Sequence, residues 1–151
     1  TSMINYHFQT KENLIDQAVQ THISKVISRA DSSIDNLDLN PVEELRGGVK
    51  QAAGFMARNP SIARVSILSD LRKGSKTDNS SQSLHSLAEQ LKEVFGDKKN
   101  EQQLKIMALQ ILATLQEFFL RASIIKKQLG LDYYDDLQRN QLIDLIIDNI
   151  L

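Results

Sequence analysis

Apolar residues recur along this chain at intervals of three and four, which places their side chains on one face of an α-helix. No stretch alternates apolar and polar residues over the length of a β-strand. Only 2 Pro and 6 Gly interrupt the pattern. The pattern therefore predicts an all-α fold, a helical bundle without a sheet.

Three helices are predicted in the first half of the chain. The first runs from Lys11 to about Ala30, with Thr10 as its N-cap. The second begins at Pro41, since proline suits the first helical position, and it ends at Asn59-Pro60. The third covers Ser61 to Leu71, and its spacing predicts three inward side chains: Ile62, Val65 and Leu68.

Two stretches interrupt this regular picture. Gly47-Gly48 lies inside the second helix, where each glycine costs roughly 1 kcal/mol relative to alanine. The pair indicates a close packing contact, with a hinge or the close approach of a ligand as the alternatives. Arg72 to Ser83 has no large apolar residue and predicts a mobile loop. A helix follows it, marked by Leu84, Leu87, Leu91 and Val94 and ended by Gly96.

The last fifty residues carry more apolar surface than one small domain can bury. Asn100 to Leu129 has a heptad seam and predicts one long helix. A final helix, capped by Asp132 and running to Leu151, is apolar almost all round, so it needs cover on two sides. A second copy of the chain is the simplest cover, which predicts a homodimer joined through a four-helix bundle. The predicted dimer interface is Leu115, Phe118, Ala122, Ile125, Leu142, Ile146 and Ile150. A monomeric bundle in which these helices are central is the alternative.

Composition narrows the class of protein. Leu, Ile, Val and Phe make up 46 of the 151 residues, enough for a core. With 18 Lys and Arg against 19 Asp and Glu, the net charge of −1 excludes a wholly basic nucleic-acid binder. The absence of Cys excludes disulfides and thiolate metal sites, and it is compatible with the cytoplasm. No apolar run approaches the roughly 20 residues that span a bilayer.

Candidate chemistry is sparse. The three His are not at metal-ligand spacing, and no cofactor motif is present. His22 is predicted to be a core or interface residue, and His85 a surface residue. The carboxylate pairs are interpreted as solvated faces rather than acid/base couples: Glu43-Glu44, Asp135-Asp136 and Asp144/Asp148. We therefore expect no enzymatic activity.

The opening residues carry a family resemblance. Tyr6-His7-Phe8, followed by Thr10-Lys11-Glu12 and Leu14-Ile15, resembles the end of the DNA-binding domain in the tetracycline-repressor (TetR) family of transcriptional regulators. The match covers about fifteen residues. It implies that residues 1–10 are the remnant of a helix-turn-helix domain and residues 11–151 a ligand-binding and dimerisation domain. The implied DNA contacts are Thr1, Ser2, Asn5, Tyr6, His7 and Lys11.

The resemblance also implies partners: operator DNA, a second copy of the chain and a small-molecule effector. In this family the effector cavity lies between the middle helices. By position its lining would be Phe55, Met56, Ile67, Leu87, Leu91, Met107, Ile111 and Phe119, although each of these can equally be a core residue. Such a lining suits a hydrophobic effector. The first two helices of the family's DNA-binding domain do not precede Thr1 here, so we expect this chain by itself not to bind DNA specifically.

Two other classes of function stay open at this point. A helical adaptor or scaffold would have the same bundle without a ligand cavity. A small helical enzyme would need convergent polar groups with perturbed pKa values in a cleft, and the sequence nominates none.

Overall fold

The computed structural model describes residues 11, 13–22, 25 and 40–151. All regular elements within these residues are helical and none is a strand, which confirms the all-α prediction. Residues 13–22 are helical and are called the N-terminal segment below. The helices that follow are α1 (Pro41–Arg58), α2 (Pro60–Lys73), α3 (Asn79–Phe95), α4 (Glu101–Leu120), α5 (Ala122–Leu129) and α6 (Asp136–Ile150). A short 3-10 turn, Gly96–Lys98, joins α3 to α4.

Several helix ends lie where the sequence predicts them. Asn40 caps α1 by accepting a hydrogen bond from the Val42 N–H at 3.0 Å, and Pro41 occupies the first turn. Pro60 likewise starts α2 directly after Asn59. Gly130 ends α5 in the left-handed region with φ of 70°, a conformation that favours glycine.

The core is organised around α4. Its inward side chains Ile111 and Phe119 are completely buried. Among the described helices, the contact between α3 and α4 is the most extensive of any pair. α1 and α6 close the remaining inward side with Leu45 and Ile143, which are also completely buried. Tyr133, before α6, donates a hydrogen bond from its hydroxyl to the Ala53 carbonyl at 3.2 Å. The buried apolar faces thus meet in a single core cluster.

An ionic cluster joins the outer edges of α1 and α6. Lys50 Nζ lies 2.8 Å from Asp144 Oδ1, and Arg46 Nη1 lies 3.3 Å from the same oxygen. Arg46 also pairs with Asp148. Asp144 and Asp148 are 40% and 57% exposed, as their interpretation as a solvated face requires, and in addition they bind cations of a neighbouring helix.

The predicted mobile loop over Arg72 to Ser83 is mostly helix, so that prediction is wrong. α2 continues to Lys73 and α3 already begins at Asn79, which leaves residues 74–78 as a turn. The polar residues on both sides of this turn are helical because side-chain caps and hydrogen bonds between α2 and α3 stabilise them in place of buried apolar side chains.

The inward face of α2 also differs from the prediction. Ala63, Ser66 and Ile67 are buried, whereas Val65 and Leu68 are 40% and 48% exposed. Small residues let α2 approach α1 and α3 closely, and α2 contacts both of these helices. A helix with two apolar stripes does not reveal from its own spacing which stripe faces the core.

The predicted long helix over Asn100 to Leu129 is broken, and its two parts, α4 and α5, meet at a bend of 97°. Arg121 has φ −114° and ψ 31°, and its carbonyl accepts from the N–H groups of Ile124 and Ile125. The bend returns the chain so that Tyr133 packs on Phe119, with ring centroids 5.7 Å apart. In the described part of the chain no single helix is long and apolar enough to cross a membrane, and only the bent pair reaches that length together.

The last helix has a different cap from the one predicted. Asp135 caps α6 by accepting from the Gln138 N–H at 2.9 Å. Asp132 instead accepts from the Tyr134 N–H at 2.9 Å and pairs with Lys126 at 2.8 Å. Each aspartate has a short side chain that accepts a hydrogen bond from a backbone N–H two or three residues later, but only Asp135 directly precedes α6.

The glycines of α1 give a direct test of its packing. A Cβ added to Gly47 meets nothing within 4 Å, so the predicted close contact is absent there. A Cβ at Gly48 meets the side-chain amide of Gln90, with Oε1 at 3.4 Å and Nε2 at 3.9 Å. We expect Gly47→Ala to stabilise the fold by roughly 0.5–1 kcal/mol, because it removes the entropic cost of a helical glycine. Urea unfolding at fixed protein concentration measures this gain.

Gly54→Ala on the same helix is the matched control. Its Cβ would lie 3.0 Å from Arg58 Nη1 and 3.6 Å from Arg139 Nη2, in a buried position. We expect a smaller gain or a loss there. Equal stabilisation by both variants would contradict the packing described for α1.

Candidate functional site

The structure describes one of the predicted DNA contacts. Lys11 is helical and exposed at the start of the described chain. Thr1, Ser2, Asn5, Tyr6 and His7 lie outside the described residues. Their role in DNA binding stays a prediction.

Most of the predicted effector residues lie together in the core. Ile67, Leu87, Leu91, Ile111 and Phe119 are buried in the core cluster, and Met56 and Met107 pack against it. These apolar side chains contact one another. Their role in effector binding also stays a prediction.

Phe55, the remaining predicted effector residue, connects α1 to the N-terminal segment. Its ring stacks on His22, with centroids 3.8 Å apart and an interplanar angle of 18°. Val19, one turn earlier on the segment, is buried. His22 is half-buried, which is compatible with the predicted core or interface placement, and His85 is exposed as predicted.

The predicted dimer residues divide into two groups. Leu115, Leu142 and Ile146 belong to the core of their own chain and have little area left for a partner. Phe118, Ala122, Ile125 and Ile150 are half-buried. Large apolar side chains that are clearly exposed on the two packed helices α4 and α6 are Ile106, Leu109, Leu137 and Leu145.

A polar cavity of about 260 Å³ lies among the N-terminal segment, the end of α2 and the turn before α3. The sequence does not predict this cavity. Three carboxylates line it, one from each of these places: Asp16, Asp70 and Asp78. The other lining residues are Gln20, Ser69, Lys73, Ser75, Thr77 and Asn79.

Hydrogen bonds fix the two carboxylates that flank the α2–α3 turn. Asp70 Oδ2 accepts from the N–H and the hydroxyl of Ser80, at 2.9 and 2.7 Å. The Ser80 hydroxyl in turn accepts from Gln116 of α4 at 3.0 Å. Asp78 caps α3 by accepting from the Ser81 N–H at 2.8 Å, and its other oxygen accepts from the Ser75 N–H at 2.9 Å. The cavity wall is thereby joined to the central helix.

The same surroundings shift the two carboxyl pKa values in opposite directions. Burial raises the pKa of Asp70, and the negative charges of Asp78 and Asp16 add to this, although the bonds from Ser80 oppose it. Burial also acts to raise the pKa of Asp78, but the hydrogen bonds from Ser81 and Ser75 outweigh burial and lower it. Of the two carboxyl groups, Asp70 is thus the one whose surroundings raise the pKa.

Asn79 is the most unusual polar residue of this cavity. It is only 6% exposed, and its Nδ2 donates to Ser66 Oγ at 3.0 Å. Its Oδ1 is buried and accepts no hydrogen bond from the described residues. Buried acceptors are satisfied in most proteins, so this oxygen is a candidate ligand contact.

No protein-family model, curated protein or solved structure matches this chain. Within the described ranges, no group of three or more His, Asp or Glu side chains could hold a metal ion. The candidate sites are thus defined by their geometry alone: the apolar core between the middle helices and the polar cavity beside Asp70.

Substituting Asp78 tests the structure of the cavity wall. We expect Asp78→Ala to lower the free energy of unfolding by about 1–2 kcal/mol, because it removes the α3 cap and the acceptor for Ser75. Asp78→Asn keeps one cap oxygen and should retain most of the stability. Chemical denaturation at neutral pH measures both.

The loss of stability in Asp78→Ala should also depend on pH. Because folding lowers the pKa of Asp78, its contribution is present above the unfolded pKa and is lost as the pH falls through the folded pKa. The difference between the wild type and Asp78→Ala should therefore shrink in acid. A difference that is independent of pH would contradict the role given to the Asp78 charge.

Proposed function

We propose that this chain is the ligand-binding and dimerisation domain of a transcriptional regulator similar to the tetracycline-repressor family, acting as a repressor in the cytoplasm. The observation that carries the proposal is the sequence Tyr6-His7-Phe8 followed by Thr10-Lys11-Glu12. A helical segment follows this sequence, and its Val19 and His22 reach the helical body. The proposed activity is binding and release of DNA, not catalysis.

The N-terminal segment is the proposed mechanical link. Its contacts with the body include the stacking of His22 on Phe55, which is one of the predicted effector residues. An effector that binds one arrangement of these helices more tightly than another shifts the population toward that arrangement. Movement of the segment would then change the spacing of two recognition helices in a dimer and release the operator.

The exposed apolar side chains of α4 and α6 support a dimer. Leu109 and Leu145 are 52% and 54% exposed, and each lies on a helix whose other side is already buried. Exposed apolar side chains on two packed helices are suited to a two-fold interface, in which the same surface contacts its copy. The proposed dimer surface consists of Ile106, Leu109, Leu137 and Leu145.

Charged substitutions test this surface. We expect the wild-type chain to be a dimer at micromolar concentration and Leu109→Glu or Leu145→Glu to weaken the dimer by about 100-fold or more, because a carboxylate would be buried without a partner. Light scattering coupled to size exclusion, over a concentration series, measures the change.

Leu68→Glu is the matched control. Leu68 is 48% exposed on α2, outside the proposed surface, so this variant should remain a dimer. A monomeric wild type, or equal weakening by all three variants, would refute the proposed dimer.

The regulatory proposal is tested on the polypeptide that includes the upstream sequence. We expect about forty preceding residues to form two further helices of a basic helix-turn-helix domain, and selection from random DNA to return a two-fold symmetric site. Its half-sites should lie about 34–36 Å apart, or a multiple of that distance.

In that polypeptide, Lys11→Ala should weaken binding to all DNA sequences alike and reduce the dependence of affinity on salt, because a phosphate contact carries no base information. Lys105→Ala, which removes an exposed cation from α4, should leave DNA binding unchanged. An upstream sequence without two helices, or the absence of any selected site, would rule out the regulator.

A further inference from the structure

We propose that the polar cavity among Asp16, Asp70 and Asp78 binds a small organic cation, a molecule with ammonium or guanidinium groups. This site is separate from the apolar core where the effector residues were predicted. The binding claim stands on the geometry of the cavity and does not require the regulatory function.

Negative charge predominates in the cavity wall. The wall carries three carboxylates, and Lys73 is the one cation among its described lining residues. Partial burial raises the pKa of Asp70, and the neighbouring negative charges of Asp78 and Asp16 act in the same direction. A cationic ligand between these groups would offset the repulsion and replace lost hydration.

The cavity is larger than a water site, and its acceptors come from three parts of the chain. A volume of about 260 Å³ is several times the share of one water molecule, which is roughly 30 Å³. The described carboxylates do not form a group that could hold a metal ion. Acceptors that are spread around such a volume suit an extended molecule with donors at more than one position.

Asn79, which lines the cavity, carries an unsatisfied acceptor. Its amide oxygen is buried and accepts no hydrogen bond from the described residues, while its nitrogen donates to Ser66. A ligand N–H that reached this oxygen would satisfy it. Gln20, on the opposite wall formed by the N-terminal segment, offers a further amide.

The position of the cavity gives such binding a consequence. Asp16 belongs to the N-terminal segment, whereas Asp70 belongs to α2 and is connected through Ser80 to Gln116 of α4. A cation that contacts both carboxylates would hold the segment against the body. If the proposed regulator is correct, this ligand would change operator affinity; that consequence alone rests on the proposed function.

The experiment uses agmatine, which carries an ammonium and a guanidinium group, and the neutral 1,4-butanediol. We expect isothermal titration of the chain at neutral pH to give saturable 1:1 binding of agmatine, weakened by salt, and no binding of the diol. Asp16→Asn and Asp70→Asn should each weaken agmatine binding at least tenfold. Asp97→Asn, an exposed carboxylate on the 3-10 turn outside the cavity lining, should leave it unchanged.

Unfolding curves of each variant establish that it is folded. Because Asp70→Asn also alters the bonds to Ser80, the Asp16→Asn variant keeps the test decisive if Asp70→Asn does not fold. No saturable binding of agmatine, equal binding of the diol, or equal weakening by Asp97→Asn would overturn the site. These results involve no DNA and no dimer, so they are independent of the outcome of the regulator tests.

Discussion

The apolar surface of α4 is the constraint on which the rest of the structure depends. Ile111 and Phe119 are completely buried on one side of this helix, so α1, α3 and α6 must pack against that side. Ile106 and Leu109 are more than half exposed on the other side. The chain therefore buries one side of its central helix and leaves large apolar side chains on the other side exposed to water.

Polar contacts determine how the surrounding helices are aligned. The pairing of Arg46 and Lys50 with Asp144 fixes α1 against α6 at the edge of the core. At the other side of the body, Gln116 contacts Ser80, and Ser80 contacts Asp70. Partly exposed pairs of this kind contribute little to the free energy of folding. Because ion pairs and hydrogen bonds are directional, they form in only some registers of the packed helices and so favour those registers.

The sequence predicts what is local and misses what depends on distant contacts. Asn40-Pro41 and Gly130 were recognisable because caps act within one turn. The bend at Arg121 contains neither Pro nor Gly, and the heptad spacing continues through it, so nothing local marks it. The polar cavity was missed for the same reason, since Asp16 lies more than fifty residues before Asp70. The local signal for the start of α3 was Asp78, a residue type that favours the N-cap position and that accepts from the Ser81 N–H.

The two candidate binding regions differ in what a ligand would have to do. Ile111 and Phe119 are completely buried in the apolar core. Separating packed core side chains to admit an apolar effector costs free energy in proportion to the cavity made. The polar cavity already exists and needs only the removal of water. The N-terminal segment contributes to both regions: His22 stacks on Phe55, one of the predicted effector residues, and Asp16 lines the polar cavity. Under the proposed function, the position of this segment is therefore the structural variable that either ligand would change.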